Sequence, residues 1–549
     1  MSSSKKKQLR KEQYMTERQT AAAQEAKKLK RYTLTFWVVI ALVVCIFVGA
    51  VVSNPIKNII YKNTKAMTVG DHTLSSVDVN YFYIDAVNNY VNQYSSYISL
   101  IMDVSKPLNE QVVNKETGAT WADNFLDSAK SNIKSTYALY DMAVKNGHEL
   151  TEAEKKAIDS NMATYSLYAT YYGYSNLDTY LRAVYGPGAS EKSYRNYLEV
   201  SALASSYLSA YSDSLEYTAD DLLNFQAKEP YKYNSYTFAS YYLKAETFYQ
   251  GGTKDEKGNI TYSDEEKAAG LRVAEEIANS LAKGEYADVA AFDAAIKALE
   301  ANKNNTTVSS TKYDEKLYDE VNTLFQDWIV GKVEGEGEDA EPTFEERKEG
   351  DITVIPSTTG SGENKVTVGY YVVRYESSTD NNFAMKNVRH VLVQFTGGKT
   401  DSTTGATIYT DAEKAVAKTK AEQLLADWVA AGDLSEESFA DLAKEHSMDG
   451  NAAQGGLYED VYPGQMVANF EDWCYDAERK AGDYGIVETE YGYHIMFFVG
   501  DSDTTFRDFM ITNVARSEDV ENWYNELVEA AELTVLTTKH VELDMVLSH

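Results

Sequence analysis

The hydrophobic pattern changes character along the chain. Residues 33–53, TLTFWVVIALVVCIFVGAVVS, are an apolar run without a single charge. At about 1.5 Å per residue, a helix of that length just spans a hydrocarbon core of about 30 Å. Residues 67–76, MTVGDHTLSS, read as a hairpin turning at Gly70-Asp71. Helical spacing then takes over, with Val79, Tyr83, Ala86, Tyr90, Tyr94 and Tyr97 three and four apart. A second helix carries Leu126, Ala129, Ile133, Tyr137, Tyr140 and Val144 on one stripe and stops at Asn146-Gly147. Thr151 and Glu154 have the spacing of a capping box and open a third. Tyr- and Ala-rich helices fill 160–228, interrupted near Gly186-Pro187-Gly188. Near the C-terminus Val520, Trp523, Leu527 and Ala531 mark one more amphipathic helix, followed by an extended tail.

The segment 387–499 has a different texture. NVRHVLVQF (387–395) is an apolar strand that contains His390. A helix follows with Ala417, Ala421, Leu424, Leu425 and Trp428 on one face, then a second with Phe439, Leu442 and Ala443. His446, seven residues after Phe439, reads as a packing histidine. The stretch closes with GDYGIVETEYGYHIMFFVGD (482–501), a loop and a strand. Much of this pattern occurs twice. Residues 259–302 line up with 406–449, Phe325-Gln326-Asp327-Trp328 with Phe470-Glu471-Asp472-Trp473, and Gly369-Tyr370-Tyr371-Val372 with Gly492-Tyr493-His494-Ile495.

Charge sharpens the layout. The chain has 549 residues and a net charge of −32. Residues 1–31 carry +7, which leaves −39 for the rest. The basic tail ahead of the apolar run places the N-terminus in the cytoplasm and everything after Ser53 outside. The run exceeds the usual apolar region of a cleaved signal peptide, so an uncleaved anchor is expected. So acidic a chain is a poor nucleic-acid binder, because phosphate neutralisation needs Lys and Arg. Only Cys45 and Cys474 are present, which excludes a disulfide framework and a Cys-rich zinc site. GKVEGEGEDAEPTFEERKEG (331–350) reads as a solvated loop. The many tyrosines between 80 and 211 read as helix-interface residues, and also as a surface able to hold unfolded polypeptide.

Four blocks in order, RHVLV, S-x-D with the following Gly-Gly-Leu, GQMV-x-x-FE and T-x-x-GYHI, resemble the parvulin family of peptidyl-prolyl isomerases. The wider layout resembles PrsA- and SurA-type extracytoplasmic foldases. The resemblance implies a polar core of His390, Asp449, Thr489 and His494 and a proline-ring pocket of Leu457, Met466 and Phe470, with Tyr491 at the rim. Met466 and Phe470 share a face if that stretch is helical. A metal site built on His390, His446, Asp449 and His494 lacks HExxH-like spacing, and a triad using Ser447 lacks a nucleophile elbow. The chain departs from the family pattern at Gly455-Gly456-Leu457-Tyr458, which lacks the usual Asp and second turn glycine, and the loop before Gly464 is one residue longer. No basic cluster stands between His390 and Tyr409, so phosphate-directed specificity is not indicated.

These readings give an α+β protein with a single transmembrane helix. They divide the chain into a basic cytoplasmic tail (1–31), an anchor (32–54), a helical SurA/PrsA-like chaperone domain (67–230), a degenerate parvulin-like copy without histidines (232–378), a parvulin domain (385–501), and a C-terminal helix and tail (505–549) packing on the helical domain. The expected function is prolyl isomerisation and chaperoning of unfolded or partly folded secreted polypeptides with X–Pro bonds, with no cofactor or metal. The competing expectation is a holdase that binds polypeptide without catalysis.

Overall fold

The computed structural model describes residues 55–303, 307–333 and 343–547. The apolar run and the expected anchor at 32–54 lie outside them. No helix among the described residues is long and apolar enough to cross a membrane. The described chain forms two compact units, residues 217–513 in one and 55–216 with 514–547 in the other.

The helical unit is built from both ends of the chain. Strands Lys65–Val69 and His72–Ser75 pair antiparallel around the Gly70-Asp71 turn. Helices follow at Ser76–Gln93, Trp121–Lys145, Glu152–Tyr171, Leu177–Tyr185 and Glu191–Asp213. Capping boxes open the first three, at Ser75/Asp78, Thr120/Asp123 and Thr151/Glu154. Gly186-Pro187-Gly188 breaks the helical run as expected, with both glycines at positive φ. Two stripe readings overshoot. The first helix ends at Gln93, so Tyr94 caps it and Tyr97 is 63% exposed, and Val144 faces solvent on the last turn of its helix.

The tyrosines are largely interior. Tyr81, Tyr165, Tyr180, Tyr185 and Tyr194 are buried in one cluster, and the Tyr197 hydroxyl donates to Asp85 at 2.5 Å. Burial raises the Asp85 carboxyl to about 6 against the Tyr197 bond, which lowers it. The C-terminal strand Leu533–Val535 pairs antiparallel with Lys65–Val69, and Val541, Met545 and Leu547 join the same core. Leu108 N–H donates to the Met545 carbonyl, and the buried Asn80 side chain accepts from Glu542 N–H. The last helix begins at Phe506, and Phe506, Ile511 and Ala515 extend its buried stripe upstream of Val520.

The other unit holds two lobes of one design. The first has β1 (Ser235–Lys244), α1 (Asp264–Ala282), α2 (Val289–Ala298), β2 (Thr311–Leu317), α3 (Thr323–Ile329), β3 (Ile352–Thr359) and β4 (Val366–Thr379). The second has β5 (Ala384–Gln394), α4 (Asp411–Ala431), α5 (Glu436–His446), β6 (Leu457–Val461), α6 (Ala468–Cys474), β7 (Tyr484–Glu488) and β8 (Gly492–Thr505). The sheets run β2-β1-β4-β3 and β6-β5-β8-β7, antiparallel throughout. In the second lobe α4 and α5 cover one face through Ala417, Ala421, Trp428 and Phe439, while α6 covers the other through Phe470 and Cys474. The first lobe repeats this with Ala274, Ala278 and Phe292 on one side and Phe325 on the other.

The repeat extends to single atoms. Ser263 and Glu266 form the capping box of α1, and Thr410 and Glu413 that of α4. Each glutamate also accepts a glycine N–H from the preceding hairpin, Gly252 at 2.8 Å and Gly398 at 2.9 Å. Within 331–350, Lys332-Val333 pairs with Thr343-Phe344. Residues 334–342 lie outside the described structure.

Candidate functional site

Strands β5 and β8 are central, and their buried middle stretches, Val391–Val393 and Ile495–Phe498, are continuously apolar. His390 and His494 flank these stretches as buried polar residues. Register pairs Leu392 with His494 and His390 with Met496, so His390 and His494 are diagonal neighbours on one face. The rings stack at 5.1 Å with 17° between planes, and the two Nδ1 atoms are 2.9 Å apart. His390 is 1% exposed and His494 5%. On the far side, Thr489 Oγ1 lies 2.8 Å from His494 Nε2, and Tyr491 N–H donates to Thr489 Oγ1 at 3.2 Å. On the near side, His390 Nε2 faces Asp449 Oδ2 at 3.6 Å, an ion-pair separation too long for a direct hydrogen bond.

One proton arrangement suits this chain best. The Thr489 hydroxyl donates to His494 Nε2, His494 Nδ1–H donates to His390 Nδ1, and His390 Nε2–H points at the carboxylate. The reverse order aims an imidazole lone pair at Asp449, which is repulsive. Burial lowers His494 to about 3, the adjacent His390 adds to that, and Asp449 opposes it. Asp449 is lowered to about 2, chiefly by facing His390. Burial opposes this, while Asn451 N–H and the Tyr458 hydroxyl assist. The site therefore holds neutral His494 beside a firmly ionised carboxylate.

An apolar wall adjoins the polar chain. The Phe470 ring stands edge-on to both histidines at 5.4 Å, and Tyr458 lies 5.2 Å from His390. Tyr458 donates to Asp449 Oδ2 at 3.2 Å, and its phenol is pushed up to about 12 by burial and by that carboxylate. Met466 packs on the same cluster half-buried. It precedes α6, which begins at Ala468, so the helical-face argument for Met466 and Phe470 does not hold even though both reach the pocket. Tyr491 is 51% exposed at the turn between β7 and β8.

Leu457 is a correction. It pairs with Arg389, and Arg389 reaches Glu436 on α5, so Leu457 stands on the helix-bearing face, away from His390. Tyr458 pairs with Val388 and takes the site position instead. The family resemblance implied Leu457. The strand, however, bulges at Asp460, whose φ is 54°, and one extra residue inverts the alternation.

Neighbouring residues explain the local motif. Gly456 has φ 66°, and a Cβ there would lie 2.1 Å from the His390 carbonyl oxygen. That close approach lets His390 N–H donate to the Gly456 carbonyl at 2.9 Å. The Ser447 hydroxyl accepts from Leu392 N–H at 3.1 Å and Asp449 N–H at 3.3 Å, a clamp that fixes Asp449 rather than a nucleophile. His446 is partly exposed beside Glu445, not packed in the core as the sequence suggests. Among the described residues, no three His, Cys, Asp or Glu side chains converge as metal ligands.

The first lobe presents the same positions with different chemistry. Register places Ser240 where His390 stands and Tyr371 where His494 stands. Tyr371 stacks on Tyr242 at 4.6 Å and meets Phe325 edge-on at 5.1 Å. Aromatic packing replaces the imidazole pair. Asn302, aligned with Asp449, donates to the Tyr241 hydroxyl at 2.8 Å.

Residues 370–500 match the family model of the PPIC-type PPIase domain, so the chain contains a parvulin-type domain. Foldase protein PrsA 1 of Listeria monocytogenes serotype 4b (strain F2365) is 44% identical over 64 residues, 12% of this chain and 22% of that protein. Foldase protein PrsA 2 of Listeria monocytogenes serovar 1/2a is 43% identical over 61 residues, 11% and 21% respectively. The chain thus spans about a fifth of the length of these curated relatives. Among solved structures, PrsA from Bacillus subtilis covers 29% of this chain and 55% of its own at 19% identity and a TM-score of 0.18. Peptidylprolyl isomerase (PrsA) from Bacillus anthracis covers 28% and 59% at 22% identity and a TM-score of 0.17.

Proposed function

We propose that the protein is a membrane-anchored, extracytoplasmic peptidyl-prolyl cis-trans isomerase and chaperone for secreted polypeptides. The observation that carries this reading is the Thr489–His494–His390 chain ending on ionised Asp449 beside the Phe470 wall. The X–Pro amide has a rotation barrier of about 18–20 kcal/mol, arising from resonance that puts negative charge on the carbonyl oxygen. Twisting the bond ends that resonance and withdraws the charge. A fixed carboxylate facing the carbonyl destabilises both planar forms relative to the twisted one, which is differential binding of the transition state. Phe470, Met466 and Tyr458 grip the proline ring and exclude water. His494, neutral and tied to His390, helps to hold Asp449 in place.

The first lobe, with Ser240 and Tyr371 in the histidine positions, folds without isomerising proline and offers polypeptide an aromatic surface. Residues 33–53 anchor the chain, with the +7 tail in the cytoplasm and the remainder outside. The helical unit, closed by both chain ends, acts as the chaperone body. A protease-coupled proline-peptide assay tests the catalytic reading. Asp449→Ala is expected to lose roughly tenfold or more in kcat/KM. Equal, weak acceleration by wild type and variant defeats it and leaves the holdase reading.

A further inference from the structure

Proline chemistry makes no use of helix Pro55–Asn63, PIKNIIYKN, which opens the helical unit. At about 100° per residue its side chains sort into three zones. Ile56, Ile59 and Ile60 share one stripe. Asn58 and Tyr61 lie opposite it, and Lys57 and Lys62 fall on the two flanks between. Asn58 and Tyr61 fasten the helix down. Asn58 Oδ1 accepts Gly188 N–H at 3.0 Å, and Tyr61 packs half-buried on the core with its ring 4.7 Å from His540. Gly188 has φ 90°, and a Cβ there would lie 3.1 Å from the Asn58 carbonyl oxygen and 3.2 Å from Tyr61 Cβ. The helix is therefore seated closely and in one rotation, which turns the isoleucine stripe outward.

Ile56 is 63% exposed, Ile59 59% and Ile60 42%. Single exposed isoleucines are ordinary, but three on one stripe of a nine-residue helix make a patch. The charge is equally distinctive. Residues 55–66 contain Lys57, Lys62 and Lys65 and no acid, in a chain that carries −39 beyond residue 31. All three lysines are exposed. The chain before the helix says what this surface meets. The apolar run ends at Ser53, and Asn54 alone separates it from Pro55. Consecutive Cα atoms are about 3.8 Å apart, so the helix starts within about 8 Å of the end of the run. A bilayer crossed by 33–53 thus has its headgroup layer at Pro55. An apolar stripe flanked by lysines is the amphipathic form that lies in such a layer, the stripe toward the acyl chains and the ammonium groups toward lipid phosphates.

We propose that helix Pro55–Asn63 is an interfacial helix that docks the helical unit on the outer surface of an anionic lipid bilayer. Ile56, Ile59 and Ile60 enter the boundary between headgroups and acyl chains, and Lys57 and Lys62 meet lipid phosphates on either side. The inference rests on the proposed anchoring and adds a second membrane contact to it. The anchor tethers the chain, whereas the helix, clamped by Asn58 and Tyr61, sets how the helical unit stands on the membrane. The lysines draw this end of the unit to the anionic surface, and the acidic remainder is repelled from it.

The test uses the full chain in vesicles of phosphatidylcholine and phosphatidylglycerol. Cys45→Ala removes one thiol, Cys474 stays because it is buried, and an NBD fluorophore is attached in turn at Lys57→Cys, Ile59→Cys, Ile60→Cys and Lys62→Cys. Flotation with the vesicles in alkaline carbonate reports the anchor by itself. A nitroxide-bearing phosphatidylcholine then reports the helix. Labels at 59 and 60 are expected to be quenched roughly threefold more than the label at 57, although 57 is nearer the anchor, and the label at 62 to be quenched weakly. In vesicles of phosphatidylcholine alone, and in K57Q/K62Q with the label at 59, quenching is expected to fall by about half. A chain that does not float defeats the anchoring reading and this inference with it. A chain that floats, but whose quenching declines steadily from 57 to 62, overturns the inference alone. So does a label at 59 that is shielded from water yet not quenched, as a second copy covering the stripe would give. Quenching at 59 that is unchanged in K57Q/K62Q overturns the assignment to an anionic surface.

Discussion

Thr489 is the hydrogen-bond partner of His494 Nε2 among the described residues, and it sits 7% exposed. Thr489→Val keeps the shape and leaves a buried ring nitrogen unpaired. The expected cost is about 1–3 kcal/mol, read from urea unfolding, together with slower proline exchange. His494 also sets a pH dependence. Its folded value of about 3 is below its ordinary 6.5, so between them the unfolded chain binds the extra proton. Its stabilising contribution is complete above pH 6.5 and is lost as pH falls toward 3, at up to about 1.4 kcal/mol per pH unit. Urea midpoints between pH 7 and pH 4 check this, and His494→Asn is expected to flatten the slope. Asp85 has the opposite sign. Its value is raised to about 6, so its burden on the fold appears as pH rises through that value. Asp85→Asn keeps an acceptor for Tyr197 and is expected to raise the Tm at pH 8 but not at pH 4. At this scale sequence reading reached His390, Asp449, Thr489, His494 and Phe470, because each stands in a short motif. It missed Tyr458, because Leu457 was carried over by resemblance across Gly455-Gly456-Leu457-Tyr458, where the chain departs from the family pattern and β6 bulges at Asp460.

The elements were legible where a local rule governs them. The Thr151/Glu154 capping box marked a helix start, and Gly-Asp marked the first turn. The end of the first helix was less legible, because Tyr97 keeps the apolar spacing beyond Gln93, whereas the stop at Asn146-Gly147 was read from the sequence. The Gly455-Gly456 pair carries a prediction for β5. Gly456→Ala brings a Cβ into the His390 carbonyl and strains φ, while Gly482→Ala, at φ 90° with open space around it, incurs strain alone. Strain of this kind costs of order 1–3 kcal/mol, so Gly482→Ala is expected in that range and Gly456→Ala clearly beyond it, with loss of exchange activity. Unfolding midpoints of the two variants decide the comparison.

The whole molecule combines one duplicated fold with one helical unit built from both ends of the chain. The duplication was visible in sequence as paired motifs, but the replacement of His390 by Ser240 emerged only from strand register. That the C-terminal tail packs on the helical domain was implied by the PrsA/SurA-type layout, but the manner of packing was not. Residues 533–547 have no strong periodicity, yet they supply a strand to the first hairpin and Val541, Met545 and Leu547 to the core. Deleting residues 533–549 is expected to lower the first thermal transition markedly and expose tyrosine fluorescence to quencher, while the transition of 217–513 persists. The central claim, that proline isomerisation belongs to the second lobe alone, is tested most directly by exchange NMR of a proline peptide with the full chain. Wild type and Tyr371→Ala are expected to accelerate cis–trans exchange equally, and Asp449→Ala to lose it. Exchange that survives Asp449→Ala, or disappears with Tyr371→Ala, contradicts the account.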